Sequence, residues 1–157
     1  MRGFTLVELV ITIAIGVILV VTAVPLYSNL QVSTQLNEQS AMIVQTLRAA
    51  REQAVAGYNN SASGVYILIN PAGADSYVSY YQGPSYAARN SAYDQTKTME
   101  PPLSFQNVSF ITTSTNIDIN FSKSTGVPNN IGSFLIVHSV SGQRSIAVNR
   151  YGAISEN

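Results

Sequence analysis

The stretch FTLVELVITIAIGVILVVTAVPL, residues Phe4–Leu26, decides how the chain is organised. Its 23 residues carry one charged side chain, Glu8. As an α-helix it would extend about 35 Å, which exceeds the roughly 30 Å hydrocarbon core of a bilayer. A charged residue at mid-membrane costs about 2.5–3.5 kcal/mol, so Glu8 needs a partner there. The stretch therefore predicts a membrane-spanning helix that contains one functional charge.

The remaining composition limits the classes of function. The chain has 157 residues, enough for one domain with a core, and only 10% of them are charged, with a formal net charge of zero. No basic face or tail is evident, which argues against direct binding of nucleic acid. There are no cysteines, so neither disulfide bonds nor thiol chemistry are expected.

The apolar stretch has two ordinary explanations. It could be a plain membrane anchor, or a secretory signal peptide cleaved after the small residues 21–23. The stretch is longer than the roughly 7–15 apolar residues of a signal peptide, and it contains a glutamate, which disfavours the second explanation. Arg2 is the only basic residue before Arg48, so the N-terminus is expected in the cytoplasm and the rest outside.

The residues Gly3-Phe4-Thr5-Leu6-Val7-Glu8-Leu9 resemble the class III leader junction of type IV prepilins and of type II secretion pseudopilins. The resemblance implies that a prepilin peptidase cleaves after Gly3 and methylates the new amine of Phe4. It also implies that Glu8 is the assembly glutamate of the family and that Pro25 is its helix-kinking proline. The leader, residues 1–3 with one base, is short for the family.

Simple electrostatics supports a link between Phe4 and Glu8. Cleavage would leave an ammonium on Phe4, and methylation preserves its charge. The two residues are four apart and so share one helix face, and the helix dipole favours a carboxylate in the first turn. The carboxylate could pair with its own amine or with the amine of a neighbouring subunit, and the second arrangement would set an axial register in a filament.

A near-continuous helix is predicted from about Phe4 to Ala56, with Gly57 as its C-cap. Pro25 should bend it, and Gly16 is a second weak point. Beyond Pro25 one apolar stripe faces the domain. The stripe consists of Leu36, Ile43, Leu47, Ala50 and Ala54. The polar residues off the stripe are Glu38, Gln39, Gln45, Arg48, Arg51 and Glu52.

The pattern after residue 63 changes to the period of two that is typical of strands. Strands are predicted at 64–69, 76–82, 105–111, 116–122, 133–140, 144–149 and 152–155. The stretch from Gly83-Pro84 to Pro101-Pro102 is predicted to be a loop. The predicted fold class is therefore α+β, a long N-terminal helix packed on one antiparallel sheet. The predicted division is a leader at 1–3, a transmembrane and filament-core helix at 4–30, and a globular domain at 31–157.

Two further segments are similar to the minor pseudopilin H family, namely 47–55, with its L-R-x-A-R-x-x-A pattern, and 144–152. The first segment is equally consistent with an ordinary solvated helix. Tyrosines cluster in the domain, and partial burial in strands explains them better than a subunit contact or receptor-binding face. The cluster consists of Tyr77, Tyr80, Tyr81, Tyr86 and Tyr93.

No catalytic constellation is evident in the sequence. His138, the only histidine, lies in an apolar run and is expected to be a half-buried strand residue, without further histidines or cysteines to complete a metal site. The acidic residues show no pairing pattern, and neither a nucleophile elbow nor a phosphate-binding loop is present. No enzyme activity, cofactor or metal is therefore expected.

The favoured interpretation is a structural subunit of a type IV pilus-like filament or pseudopilus, serving secretion, adhesion, motility or DNA uptake. The resemblance implies an inner-membrane precursor that passes into a periplasmic or extracellular filament. It also implies as partners prepilin peptidase, an assembly ATPase with its platform protein, other pilin subunits, and lipid before assembly. The alternative is an exported or membrane-anchored monomeric binding module with a small β-domain.

Overall fold

The computed structural model describes residues 5–69, 77–99, 101–110 and 116–157, and within them it leaves the side chains of residues 23–26 and 77 undescribed. The chain forms one long helix, a short 3₁₀ turn and eight strands in the described ranges. The helical elements are α1, Leu6–Ala56, and the turn Tyr58–Asn60. The strands are β1 Ser63–Leu68, β2 Tyr77–Gln82, β3 Asn90–Thr98, β4 Leu103–Gln106, β5 Asn116–Phe121, β6 Gly132–His138, β7 Gln143–Val148 and β8 Ile154–Glu156.

Helix α1 begins after Thr5 and ends at Gly57, close to the predicted bounds. Its 51 residues extend about 75 Å at the usual rise of an α-helix. Gly57 has a left-handed backbone, φ 64°, and its N–H bonds to the carbonyl oxygen of Ala54 at 3.1 Å. This conformation favours glycine and satisfies one carbonyl at the end of the helix, which confirms the predicted C-cap.

The second half of α1 packs on the rest of the domain through the predicted apolar stripe. Leu36 is 2% exposed, and the other four members of the stripe are fully buried. The stripe contacts strands of two separate sheets, so it forms the centre of a single core. Around it lie apolar side chains of seven of the eight strands. The fully buried strand residues include Val65, Ile67, Ile117, Ile119, Phe121, Phe134, Ile136 and Ile146.

The strands form two four-stranded antiparallel sheets, ordered β3-β2-β1-β5 and β4-β6-β7-β8. The prediction of one sheet was therefore wrong, although the α+β class is confirmed. In the first sheet, β1 is flanked on both sides, so that Val65 pairs with Tyr80 and Ile119. In the second sheet, Phe134 of β6 pairs with Ile146 of β7. Pairing partners of this kind depend on the whole topology and are not encoded in a single strand.

The prediction of a loop between Gly83 and Pro102 was also wrong, because β3 lies there and pairs with β2. Eight of its nine residues are exposed, since it is an edge strand with both faces open to solvent. Because neither face of β3 is buried, its sequence shows no alternation of apolar and polar residues. A search for such alternation could therefore not detect it.

Smaller differences concern strand ends. β4 covers Leu103–Gln106 instead of the predicted 105–111, because the chain leaves the extended conformation at Asn107, φ 48°. The other predicted strands are displaced by one or two residues, which is usual at element ends. Ser76 and Ile111, the predicted ends of two strands, lie outside the described residues.

Candidate processing and assembly site

The start of α1 carries a reciprocal cap formed by Thr5 and Glu8. The backbone N–H of Glu8 donates to Thr5 Oγ1 at 3.3 Å. In return Glu8 Oε2 accepts the Thr5 backbone N–H at 2.9 Å and the Thr5 hydroxyl at 2.8 Å. This capping box satisfies two N–H groups that a helix start leaves unpaired. The Glu8 carboxylate therefore stabilises the first turn of its own helix.

The role of Thr5 was missed by the sequence analysis, which paired Glu8 with Phe4 alone. The signal was present, since Thr5-Leu6-Val7-Glu8 has the spacing of a capping box before an apolar run. Gly3 and Phe4, the predicted processing residues, lie outside the described residues. Cleavage after Gly3 and the pairing of Phe4 with Glu8 consequently stay predictions.

The described side chains in the first half of α1 lie outside the hydrophobic core. Its described large apolar side chains up to Leu30 are exposed, from 77% for Leu6 to 52% for Ile11. Val32 is the first buried residue among the described side chains of the helix. An 18-residue window has a mean hydropathy of 2.8 and no buried share, so this helix is long and apolar enough to cross a membrane. Among the described side chains of α1, burial begins directly after Gln31, and the division into a helix at 4–30 and a domain at 31–157 stays a prediction.

Two threonines inside the apolar half direct their hydroxyls to the helix itself. Thr12 donates to the carbonyl oxygens of Glu8 and Leu9 at 2.9 and 2.8 Å. Thr22 donates to those of Ile18 and Leu19 at 3.1 and 3.0 Å. Because these hydroxyls have partners within the helix, they leave no unsatisfied donor in an apolar medium.

α1 continues through Gly16 and Pro25 as a helix. A methyl group added at Gly16 would meet no atom within 4 Å, so no contact inside the chain requires glycine there. The side chain of Pro25 lies outside the description, and the bend expected at Pro25 stays a prediction.

Two of the five clustered tyrosines are buried. Tyr80 is 5% exposed and Tyr81 is fully buried, as the burial interpretation predicted, whereas Tyr93 is 42% exposed. The Tyr86 ring stacks on Tyr66 with 3.8 Å between the ring centroids. The side chain of Tyr77 lies outside the description.

His138 ends β6 and is 5% exposed, so it is more deeply buried than predicted. Its Nε2 lies 3.1 Å from Gln35 Oε1, and its Nδ1 accepts the N–H of Val140 at 3.2 Å. These bonds connect α1 with the end of β6, which is a structural role. Within the described ranges, no group of three or more acidic or histidine side chains is placed to hold a metal ion.

Comparison with known proteins agrees with the start of the chain. Residues 1–24 match the family model described as the prokaryotic N-terminal methylation motif. The chain carries the signal of type IV pilins and pseudopilins. No curated protein and no solved structure matches the chain. Because the motif ends at residue 24, it does not reach the two segments similar to minor pseudopilin H, and that resemblance is not confirmed.

The motif and the exposed apolar half of α1 together support a pilin-like or pseudopilin subunit. They fit a precursor anchored in the inner membrane, processed by prepilin peptidase and assembled into a pilus-type filament. A motif of this type suggests a structural protein without enzymatic activity.

Proposed function

We propose that the chain is a structural subunit of a type IV pilus-like filament or pseudopilus and that it assembles through the first half of α1. The observation that carries the proposal is that residues 1–24 match a methylation motif and that the helix starting within this motif has described apolar side chains that are exposed up to residue 30. In the membrane these side chains contact lipid. In a filament they contact the same segment of other subunits, so that the membrane anchor becomes the polymer core.

Processing precedes assembly in this proposal. Prepilin peptidase cleaves between Gly3 and Phe4 and methylates the amine of Phe4. The precursor crosses the inner membrane once, with its N-terminus in the cytoplasm and residues 31–157 outside. An assembly ATPase and a platform protein then extract the mature subunit into a filament that extends into the periplasm or beyond the cell. Similarity in 47–55 and 144–152 favours a minor subunit of the pseudopilin H type.

Glu8 has two tasks in this proposal, and the geometry is compatible with both. The contacts with Thr5 use Oε2 only. Oε1 has no partner among the described residues, so it can accept the Phe4 ammonium of a neighbouring subunit while the cap persists. In the apolar filament core, removing one member of such a pair would cost about 3–5 kcal/mol.

Three substitutions of Glu8 separate charge from capping. Glu8→Gln keeps hydrogen-bond acceptors for the capping box but removes the charge. Glu8→Val removes both and eases membrane insertion by up to about 3 kcal/mol, and Glu8→Asp keeps the charge with a shorter reach. The measurement is the amount of sheared filament beside the amount of membrane-bound precursor for each variant.

We expect Val and Gln variants that insert normally but yield little filament, with the Asp variant between them and the wild type. If the Gln variant yields as much filament as the wild type and the Val variant does not, Glu8 acts by capping. If both the Gln and the Val variants yield as much filament as the wild type, Glu8 has no role in assembly. A wild-type chain that stays monomeric where processing and assembly proteins are present would contradict the proposed function and favour an anchored binding module.

A further inference from the structure

Two adjoining clefts lie between the second half of α1 and the edge strand β3. Their volumes are about 190 and 420 Å³, and they share the lining residues Gln53, Tyr80 and Gln95. The smaller cleft extends along α1 to Gln45. Because Gln45 and Gln53 are eight positions apart on the helix, the two clefts form one trough that is at least about 12 Å long.

The floor of the trough is a buried network of polar side chains. Tyr80 is 5% exposed and Gln82 is 3% exposed. The Tyr80 hydroxyl donates to Gln53 Oε1 and accepts from Gln82 Nε2 at 3.1 Å, while Gln82 Oε1 accepts from Asn59 Nδ2 at 3.0 Å. Since its oxygen is held, the Gln53 amide has a fixed orientation, and its NH₂ group has no partner among the described residues. A free hydrogen-bond donor is therefore fixed where the two clefts join.

The walls of the trough carry exposed amide groups and aromatic rings. Gln45 and Gln95 are exposed, and their side chains make no hydrogen bond to another described residue. Tyr58 is 53% exposed and Tyr93 is 42% exposed, and both line the larger cleft. An amide offers a donor and an acceptor side by side, and a tyrosine ring offers an apolar face with a hydroxyl at its edge. The walls therefore present groups that pair with hydroxyls next to rings that pack on C–H groups.

The composition of the trough distinguishes between classes of ligand. Alanine is the only aliphatic residue type in its described lining, so it lacks the large apolar anchor that a protein partner or a lipid chain needs. Lys97 is the one charge of this lining that has no ion-pair partner among the described residues, because Asp94 pairs with Arg89 at 2.7 Å. A single cation is too little to hold a polyanion such as nucleic acid. The trough therefore suits a ligand that is uncharged and rich in hydroxyl groups.

We propose that the trough binds a neutral oligosaccharide. The Gln53 amide donates to a sugar oxygen, and the amides of Gln45 and Gln95 both donate to and accept from sugar hydroxyls. The C–H faces of the sugar rings pack on Tyr58 and Tyr93 in the larger cleft, whose volume lies within the range of about 300–1,000 Å³ that is usual for ligand sites. The inference goes beyond the proposed function and does not depend on assembly, since the whole trough lies within one subunit.

Binding is tested with the full chain in lauryldimethylamine oxide, a detergent without a sugar headgroup, on an array of short neutral oligosaccharides. The wild-type chain should be retained, and calorimetric titration with a retained sugar gives the Kd. Tyr93→Ala should weaken binding about tenfold and Gln95→Ala about threefold to tenfold, because each removes one contact with the sugar. The matched controls Tyr151→Ala and Gln143→Ala change exposed residues outside the trough and should leave the Kd unchanged. Circular dichroism checks that every variant is folded.

A wild-type chain that no neutral oligosaccharide retains would overturn the proposal. Tyr93→Ala and Gln95→Ala variants that bind as tightly as the wild type would overturn it too, because the sugar would then bind elsewhere. Retention of acidic sugars alone, lost at about 0.5 M salt and in Lys97→Ala, would likewise contradict it, since the charge of Lys97 would then explain the binding. Failure of sugar binding leaves the filament proposal intact, and a chain that forms no filament can still bind the sugar, so the two proposals fail separately.

Discussion

Tyr81 shows how a single buried polar group is kept in the core. Its hydroxyl donates to Asp118 Oδ1 at 2.5 Å and accepts from Asn120 Nδ2 at 3.1 Å. Burial, followed by the hydrogen bond to Asp118 and the charge of Asp118, raises the pKa of Tyr81 above its ordinary value. The fully buried ring also lies where a side chain at position 64 would be, because a methyl group on Gly64 would approach it to 2.5 Å.

The raised pKa of Tyr81 predicts a loss of stability in alkali. A tyrosine in the unfolded chain ionises near pH 10, whereas folded Tyr81 keeps its proton. Unfolding therefore releases a proton above about pH 10, and this residue lowers the free energy of unfolding by up to about 1.4 kcal/mol per pH unit. Denaturant unfolding of residues 31–157 between pH 8 and about pH 11 measures the slope.

Tyr81→Phe should reduce that slope, although it also costs about 1–3 kcal/mol at neutral pH by leaving its partners unsatisfied. Tyr93→Phe is the control, because Tyr93 is 42% exposed and should leave the slope unchanged. An unchanged slope in the Tyr81 variant would show that other groups cause the alkaline loss.

At the scale of elements, the turn between β6 and β7 is pressed against α1. Gly142 has φ 87°, and a methyl group there would come within 2.8 Å of the Leu36 side chain. Two polar bonds also join this region to the helix, from His138 to Gln35 and from Arg144 to Asn37. The turn therefore fixes the second sheet to the start of the buried stripe.

Gly142→Ala should lower the free energy of unfolding of residues 31–157 by about 1–3 kcal/mol, because alanine strains the backbone there and contacts Leu36. Ser141→Ala, at the exposed neighbouring residue, should change it by less than about 0.5 kcal/mol. Chemical denaturation of both variants checks this. Equal stability of the two would mean that the turn is not held against α1.

The sequence predicts those elements in which apolar residues form a run or recur at a regular spacing. α1 was predicted because an apolar run, an amphipathic stripe and Gly57 each mark part of it. β1 and β6 were predicted because 65–69 and 134–137 are short runs rich in β-branched and aromatic residues. β3 was missed because an exposed edge strand depends on hydrogen bonds to β2 and not on burial.

The candidate site was predicted unevenly for a similar reason. Glu8 attracts attention because a charge in an apolar run is costly, and that argument needs no structure. Its contact with Thr5 followed from local spacing and was overlooked. The division into two sheets depends on which strands meet after long connections, and single-strand patterns contain no such information.

On the scale of the whole molecule, the anchor and the domain should be separable. Val32 is the first buried residue among the described side chains of α1, and the described apolar side chains before it are exposed and outside the core. A chain starting at Gln31 should be soluble and unfold in one cooperative transition, measured by circular dichroism during heating. Insolubility, or a gradual loss of signal without a transition, would show that the first half of α1 is needed for folding.

The most direct test of the pilin-type assignment is the intact mass of the protein in sheared filaments and in the membrane. We expect the mature chain in filaments to begin at Phe4 and to carry one methyl group on its amine, with the uncleaved precursor confined to the membrane. A chain that begins at Val24, as signal peptidase would produce, or an uncleaved chain in assembled filaments, would contradict the assignment.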